Sequence, residues 1–262
     1  GVSGSLHTLN MVMQSVSLYD ELTFEPLLEN RVEIVCDDAV LKNNNIMEKA
    51  YHETQRIFPQ IRHGFRVKLK KNIPMGAGLA GGSGNAAATV HYLLKDHNIK
   101  PKQKALRQLL LSIGSDVSFC YHGGTKRVQG VGELLRPLET PYEYFLIVNL
   151  GIAINTAEAY RLWDTFTPTA CKTGGTPHQD VSVPFNAFEA VIFPLYPEIE
   201  RVKFKLLGLG ASVALMSGSG STVFGVFNTK KECEIAAQCF KEKCHNTWIV
   251  RSILMGVSRL KN

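Results

Sequence analysis

The sequence predicts a mixed α/β protein in two domains, on three observations. Residues 65–90 pass from strand-like alternation through a glycine-rich stretch into a helical pattern, and the flanking segments read as further strands and helices. A proline-containing turn at Pro141-Tyr142 precedes a fresh apolar strand, Tyr144 to Leu150, which sets the expected domains at 1–142 and 143–262. At 262 residues with 45% apolar content, the chain is long enough for one large domain or two of ordinary size, and disorder is excluded.

The chain is organised around residues 71–90, KNIPMGAGLAGGSGNAAATV. Upstream, Phe65, Val67 and Leu69 alternate with Arg66, Lys68 and Lys70, so a half-buried strand enters. Downstream, Asn85 to Ala88 run into Val90, Leu93 and Leu94, so a helix leaves. Glycines 76, 78, 81, 82 and 84 permit positive φ and remove Cβ atoms, which lets backbone N–H groups converge on an anion at the helix N-terminus. Phosphate is the expected guest, although glycine-rich turns also serve packing alone. The stretch is not a Walker A loop, because no Gly-Lys-Ser/Thr ends it.

Its pattern resembles the P-x-G-x-G-L-x-x-S-S/G-x-A signature of the GHMP kinases, with Pro74, Gly76, Gly78, Leu79, Gly82, Ser83 and Ala86 in order. The additional glycines look most like the branch that phosphorylates the 2-hydroxyl of 4-diphosphocytidyl-2-C-methyl-D-erythritol, in non-mevalonate isoprenoid biosynthesis. The resemblance implies an α/β plus α+β fold. Its N-terminal domain would be ribosomal S5 domain 2-like with a left-handed crossover, and its C-terminal domain ferredoxin-like. It also implies ATP and Mg2+, with ATP held by Asn44, Lys71, Pro74, Met75, Gly76, Ala77, Gly78, Leu79, Ala80, Gly81, Gly82, Ser83, Gly84 and Asn85. No carboxylate cluster identifies the metal ligands; Ser83 is one candidate contact.

The elements follow in order. Residues 5–26 alternate as two antiparallel strands about a turn at Tyr19-Asp20. Within them His7 and Leu9 resemble the family segment D-G-Y-H-x-L-x-T, which implies that His7 reads the cytosine edge, while Leu6 stands where the family has tyrosine. On residues alone a lone strand histidine is as readily packed or solvated. Family members open with a strand P-A-K-I-N-L, whose lysine organises the transferred phosphate and whose asparagine touches substrate. That strand is absent here, and the expectation is a longer protein, since a sheet lacking it would expose an apolar edge.

Residues 31–36 read as a strand and Ile46 to Phe58 as a helix; Asn43 to Ile46 resembles D-N-L-I, although an asparagine-rich helix cap would look the same. Lys71 resembles the lysine beside the nucleotide, with a solvated strand-end lysine as the alternative. After a helix over Ala105 to Ser112 comes Gly114-Ser115-Asp116-Val117-Ser118-Phe119, similar to G-A/S-D-V-P-F, whose aspartate is catalytic. A carboxylate there can take or orient the acceptor's proton, and the bland alternative is that Asp116 only caps a helix or turn. His122-Gly123-Gly124 and Gly130 to Leu138 resemble H-G-G-T-A…G-x-G-E-x-L-x-P-L and read as a hairpin.

Beyond the boundary, Gly151 to Tyr160 resembles P-x-x-V-S-T-A-E-V-Y, implying that Thr156 caps a helix near substrate and that Tyr160 stacks on cytosine; on residues alone an aromatic at helical spacing from Trp163 is more often a core residue. Residues 165–183 read as an exposed loop. Asn186-Ala187-Phe188-Glu189 resembles a helix-opening segment, and Met216 to Gly225 resembles M-S-G-S-G-S/P-T-x-F-G, which implies substrate contacts from Gly218, Ser219 and Gly220. A helix from Lys230 to Cys244 and a strand from Trp248 to Leu254 finish the chain.

Composition narrows the partners. The charge of +6 contains no run of five basic residues of the sort that marks a nucleic-acid arm; a small polyanionic substrate accounts for the excess, and so does a merely basic surface. No apolar stretch reaches the ~20 residues of a membrane span. Six cysteines lack zinc-ligand spacing and read as reduced thiols. The oligomeric state is open. The pathway implies the cytoplasm in a bacterium, and a plastid or apicoplast in a eukaryote. Two other readings stand beside this one: a GHMP kinase for mevalonate or homoserine, and a non-catalytic nucleotide-binding relative.

Overall fold

The computed structural model describes residues 2–3, 6–37, 45–166, 184–240 and 246–257. The chain forms two compact units. The first comprises residues 1–73, 80–141 and 252–262; the second comprises 74–79 and 142–251.

In the first unit, β1 (Val2–Ser3) pairs with β2 (Leu6–His7). A three-stranded antiparallel sheet joins β3 (Leu9–Gln14), β7 (Thr125–Gly130) and β8 (Leu134–Leu138), with β7 central. A second sheet places β6 (Phe65–Lys70) between antiparallel β4 (Glu21–Pro26) and parallel β5 (Val32–Val35). The two strands expected within residues 5–26 therefore form, but they do not pair with each other. Each finds its partner on a distant strand, β3 with β7 and β4 with β6.

Among the described residues, four helices complete this unit: α1 (Ile46–Ile57), α2 (Gly81–Asp96), α3 (Gln103–Ile113) and α4 (Val117–His122). The alternation of β6 decides its two faces. Phe65, Val67 and Leu69 are buried with Met47 and Tyr51 of α1 and Leu93 of α2. On the other face Arg66, Lys68 and Lys70 pair with Glu33, Glu25 and Glu21 at 2.7, 3.0 and 2.8 Å. Such exposed pairs contribute at most about 1 kcal/mol each, so burial of the apolar face fixes the register. Ala86, Ala87 and Val90 of α2 pack against α1, α3 and α4, so small residues on a second face let α2 sit at the centre of the helical layer.

The second unit contains β9 (Tyr144–Asn149), α5 (Thr156–Thr165), α6 (Glu189–Ile192), α7 (Pro197–Gly208), β10 (Val213–Met216), β11 (Val223–Phe227), α8 (Lys230–Gln238) and β12 (Asn246–Arg251). Its antiparallel sheet has the order β10-β11-β9-β12. Strand, helices, two strands, helix and strand in that order is the expected ferredoxin-like arrangement. Leu146 and Val148 of β9 are fully buried with Ile199 and Leu206 of α7 and Cys233 of α8. Helix α8 stops at Gln238, short of the expected Cys244, and Thr229 starts it with a capping box to Glu232.

Candidate active site

In the first unit, α2 begins at Gly81, earlier than the alanine run suggests. Its N-cap, Ala80, has a left-handed φ of 52° and offers no side-chain cap. The first i→i−4 bond is Gly84 N–H to the Ala80 carbonyl at 2.9 Å, so the amides of Gly81, Gly82 and Ser83 precede it. Three uncapped donors at the positive end of a 16-residue helix favour an anion. Gly81, Gly82 and Gly84 are helical, so only Gly76 and Gly78 of the five glycines use positive φ. Gly81 lacks a side chain for another reason: a Cβ there would lie 2.9 Å from Lys71 Nζ and from Ile73 Cγ2. Asn85, 4% exposed, is buried in the same helix.

Lys71 is not a solvated strand-end lysine. Its Nζ is 2.5 Å from Asp20 Oδ2, with the two side chains 17% and 2% exposed. Asp20 Oδ1 also accepts the Asn72 and Ile73 amides at 2.8 and 2.9 Å. An ammonium beside the amino end of a helix is poorly placed on its own, and becomes favourable when an anion binds there.

Asp116 occupies the N-cap position of α4, yet its side chain makes no cap hydrogen bond, which sets aside the capping alternative. Burial raises its pKa above the ordinary aspartate value. One turn later Cys120, whose thiol is pushed up by burial and then by the Asp116 charge, lies 3.9 Å from the Ala80 carbonyl. The carboxylate is thereby held on the side of α4 that approaches the start of α2. The β7–β8 turn supports it from below, since a Cβ on Gly132 would lie 2.3 Å from the Ser115 carbonyl oxygen. Glu133 closes that turn by accepting the Val131 amide at 2.7 Å.

In the second unit, Pro74–Leu79 packs with residues 217–220. Gly76 and Gly78 have φ of 62° and 71°, Ala77 is buried, and Met75 is 45% exposed, with Pro74 and Leu79 half-buried. Ser217 Oγ donates to the Gly78 carbonyl at 2.8 Å. Asn186 Nδ2 donates to the carbonyls of Met216 and Gly218 at 2.7 and 2.8 Å, while Glu189 accepts the Met216 amide at 2.9 Å. The Asn186 to Glu189 segment therefore braces the Gly218-Ser219-Gly220 loop. Thr156 does not cap α5. Asn155 does, accepting the Ala157 and Glu158 amides, and Thr156 Oγ1 instead lies 3.0 Å from Ser219 Oγ. Tyr160 is half-buried and meets Phe188 edge to face at 4.9 Å.

His7 ends β2 and is half-buried. Asn44 lies outside the described residues; its neighbour Asn45 caps α1, accepting the Met47 amide at 3.0 Å. Cys36, Cys120, Cys233 and Cys239 are free thiols. No helix among the described residues is long and apolar enough to cross a membrane. His63, Asp96 and His97 bring three metal-ligand atoms within 4.8 Å. The two imidazoles are stacked at 4.3 Å and 25°, so their lone pairs lie in separate, nearly parallel planes, a poor arrangement for two ligands of one ion. A cavity of ≈ 390 Å³ lined by Phe193, Lys203 and Phe204, among others, contains none of the expected site residues. Sequence reasoning missed Asp20 and Asn186 as site supports. Asn155 was legible as a cap, standing three residues before Glu158.

An uncapped Gly-Gly-Ser helix start, a lysine beside it and a half-buried carboxylate are groups able to serve phosphoryl transfer, which needs an anion cradle, a cation and a proton acceptor. Comparison with known proteins gives the same class. Residues 45–124 match the GHMP kinases N terminal domain and residues 178–246 match GHMP kinases C terminal. A 4-diphosphocytidyl-2-C-methyl-D-erythritol kinase of Thermodesulfovibrio yellowstonii is 34% identical over 249 residues, 90% of this chain and 86% of the relative. The enzyme of that name in Lachnoclostridium phytofermentans is 36% identical over 247 residues, 90% of this chain and 84% of the relative. The crystal structure of a 4-(cytidine 5'-diphospho)-2C-methyl-D-erythritol kinase superposes with a TM-score of 0.76 at 28% identity, covering 94% of this chain and 90% of the other. The chain belongs to the GHMP kinases, a family of small-molecule kinases, and has their two-domain fold.

Proposed function

We propose that the protein transfers the γ-phosphoryl group of ATP to the 2-hydroxyl of 4-diphosphocytidyl-2-C-methyl-D-erythritol, a step of non-mevalonate isoprenoid precursor biosynthesis. The observation that carries the chemistry is the pairing, within the first unit, of the uncapped α2 start with the half-buried Asp116 carboxylate. The acceptor rests on the relatives, which carry that activity in their names over about nine-tenths of this chain.

The amides of Gly81, Gly82 and Ser83 hold phosphate oxygens, and Lys71 adds a charge-assisted bond. Asp116 takes the proton of the acceptor hydroxyl as the phosphoryl group moves; burial, by making its ionised form costly, raises its basicity for that step. Magnesium, when bound, balances the phosphate charge. The Ser83 hydroxyl, at the third residue of α2, offers the oxygen donor such a hard cation takes. Tyr160 is assigned to cytosine stacking, His7 to the cytosine edge, and Thr156, Gly218, Ser219 and Gly220 to the acceptor.

The test is ADP release by the full chain with the cytidine compound, set beside mevalonate and homoserine. Turnover restricted to the cytidine compound supports the proposal. Turnover with another acceptor keeps Asp116 and the phosphate cradle but removes the roles of His7 and Tyr160. ATP binding without any turnover points to a non-catalytic relative.

A further inference from the structure

Asp20 belongs to no motif that suggests a role, yet both of its carboxylate oxygens are engaged. The β4–β6 register explains its place. Glu21 stands opposite Lys70, and one more antiparallel step brings Asp20 opposite Lys71, just beyond the last ladder pair. The outer pair, Glu21 with Lys70, is exposed, with side chains 37% and 68% accessible. The inner pair is not, with Asp20 at 2% and Lys71 at 17%.

Each oxygen of Asp20 has a separate task. Oδ1 accepts the Asn72 and Ile73 amides, which fixes the backbone as it leaves β6, and the Tyr19 carbonyl adds a bond from Asn72 Nδ2 at 2.9 Å. Oδ2 takes the Lys71 ammonium. Directed this way, the ammonium lies against Gly81, the first residue of α2, where any side chain would collide with it. An unheld lysine has four rotatable bonds, and the positive helix end would push its charge away.

We infer that Asp20 is a positioning residue that holds Lys71 at the phosphate-binding start of α2, so that ATP meets an ammonium already in place. This rests on the reading of α2 as the ATP phosphate site. Asp20 does not touch the nucleotide; it acts through Lys71. The cost of ordering the lysine is met on folding rather than on binding, which is the general benefit of preorganisation.

Asn at position 20 separates the two tasks, since it keeps an oxygen for the two amides but presents no charge to the lysine. For the full chain, Asp20→Asn is expected to weaken ATP binding, measured by calorimetry, by about tenfold or more, the scale of a charge-assisted hydrogen bond. The kcat at saturating ATP should change by less than about threefold, because the loss is one of ground-state binding. Lys71→Met should weaken ATP binding by a similar factor, and the double variant should be no worse than Lys71→Met alone. Lys71→Met also keeps the test open where Asp20→Asn does not fold, since the Asp20 bonds to the amides survive in it.

Unchanged ATP affinity in either single variant, or penalties that add in the double variant, overturns the role of Asp20. A wild-type chain that neither binds nor turns over ATP overturns the kinase reading and this inference together. A wild type that turns over ATP beside an unaffected Asp20→Asn overturns this inference alone.

Discussion

The Ser217 hydroxyl donates to the carbonyl of Gly78, joining positions 139 residues apart. Two glycine motifs that read as separate features in the sequence are thus one packed structure in the second unit. The approach is close: a Cβ on Gly78 would lie 2.1 Å from the Ser217 carbonyl oxygen and 2.9 Å from that of Gly220. Those are backbone atoms in a loop whose Met216 and Gly218 carbonyls are held by Asn186, so they have little freedom to withdraw.

Gly78→Ala is therefore expected to destabilise the protein by at least about 2 kcal/mol, combining left-handed strain with the backbone collision. Ser217→Ala, which only leaves the Gly78 carbonyl without its donor, should cost about 1 kcal/mol. Urea denaturation measures both, and equal costs for the two would refute the steric account.

Gly84 gives the opposite expectation. It is helical, and a Cβ there meets nothing within 4 Å. Gly84→Ala should stabilise the protein by about 0.5–1 kcal/mol through helix propensity alone. A loss of stability in thermal unfolding would mean that the first turn of α2 tolerates no side chain even without a ligand.

What was legible in the sequence follows the range of the interactions involved. The alternation of Phe65, Val67 and Leu69 is local and identified β6; its neighbours in the sheet lie 43 positions away at the Phe24–Val67 pair and 33 at the Ile34–Val67 pair, and are not marked by any short pattern. That is why β3 and β4 were readable as strands but not as partners of β7 and β6. The glycines show the same division. Gly76 satisfies a local need for positive φ, whereas Gly78 also yields space to the Ser217 carbonyl, a contact between distant parts of the chain. The motifs carried Asp116 as a candidate because they bundle distant contacts into a recognisable string. Asp20, a single carboxylate in a turn, has no such string, and only the β4–β6 register explains it.

Ser118 stands where the family motif has proline. Its hydroxyl is buried in α4 with no hydrogen-bond partner among the described residues. Removing an unpaired buried hydroxyl recovers its desolvation cost, so Ser118→Ala should be neutral or stabilising by up to about 1 kcal/mol. A melting temperature several degrees lower would show that the hydroxyl has a partner in solution.

Asp116→Asn separates activity from stability. Loss of the proton acceptor should lower kcat by about 10²–10⁴, the usual contribution of a positioned acid or base. Stability should move the other way. Because burial raises the folded-state pKa of Asp116, the unfolded chain releases this proton more readily. The aspartate's favourable contribution is present below the unfolded-state pKa, and it is lost as pH rises through the raised folded-state value. Near neutral pH the ionised, half-buried carboxylate opposes folding, and the neutral amide of Asn does not. The variant should therefore melt above the wild type at pH 7, and the gap should close as pH falls toward the ordinary carboxylate range. Paired melting curves at several pH values, read beside ADP release, check both halves. A variant that melts below the wild type at pH 7 would mean that the carboxylate is paired rather than merely buried, and one that keeps most of its kcat would remove Asp116 from the proton-transfer step.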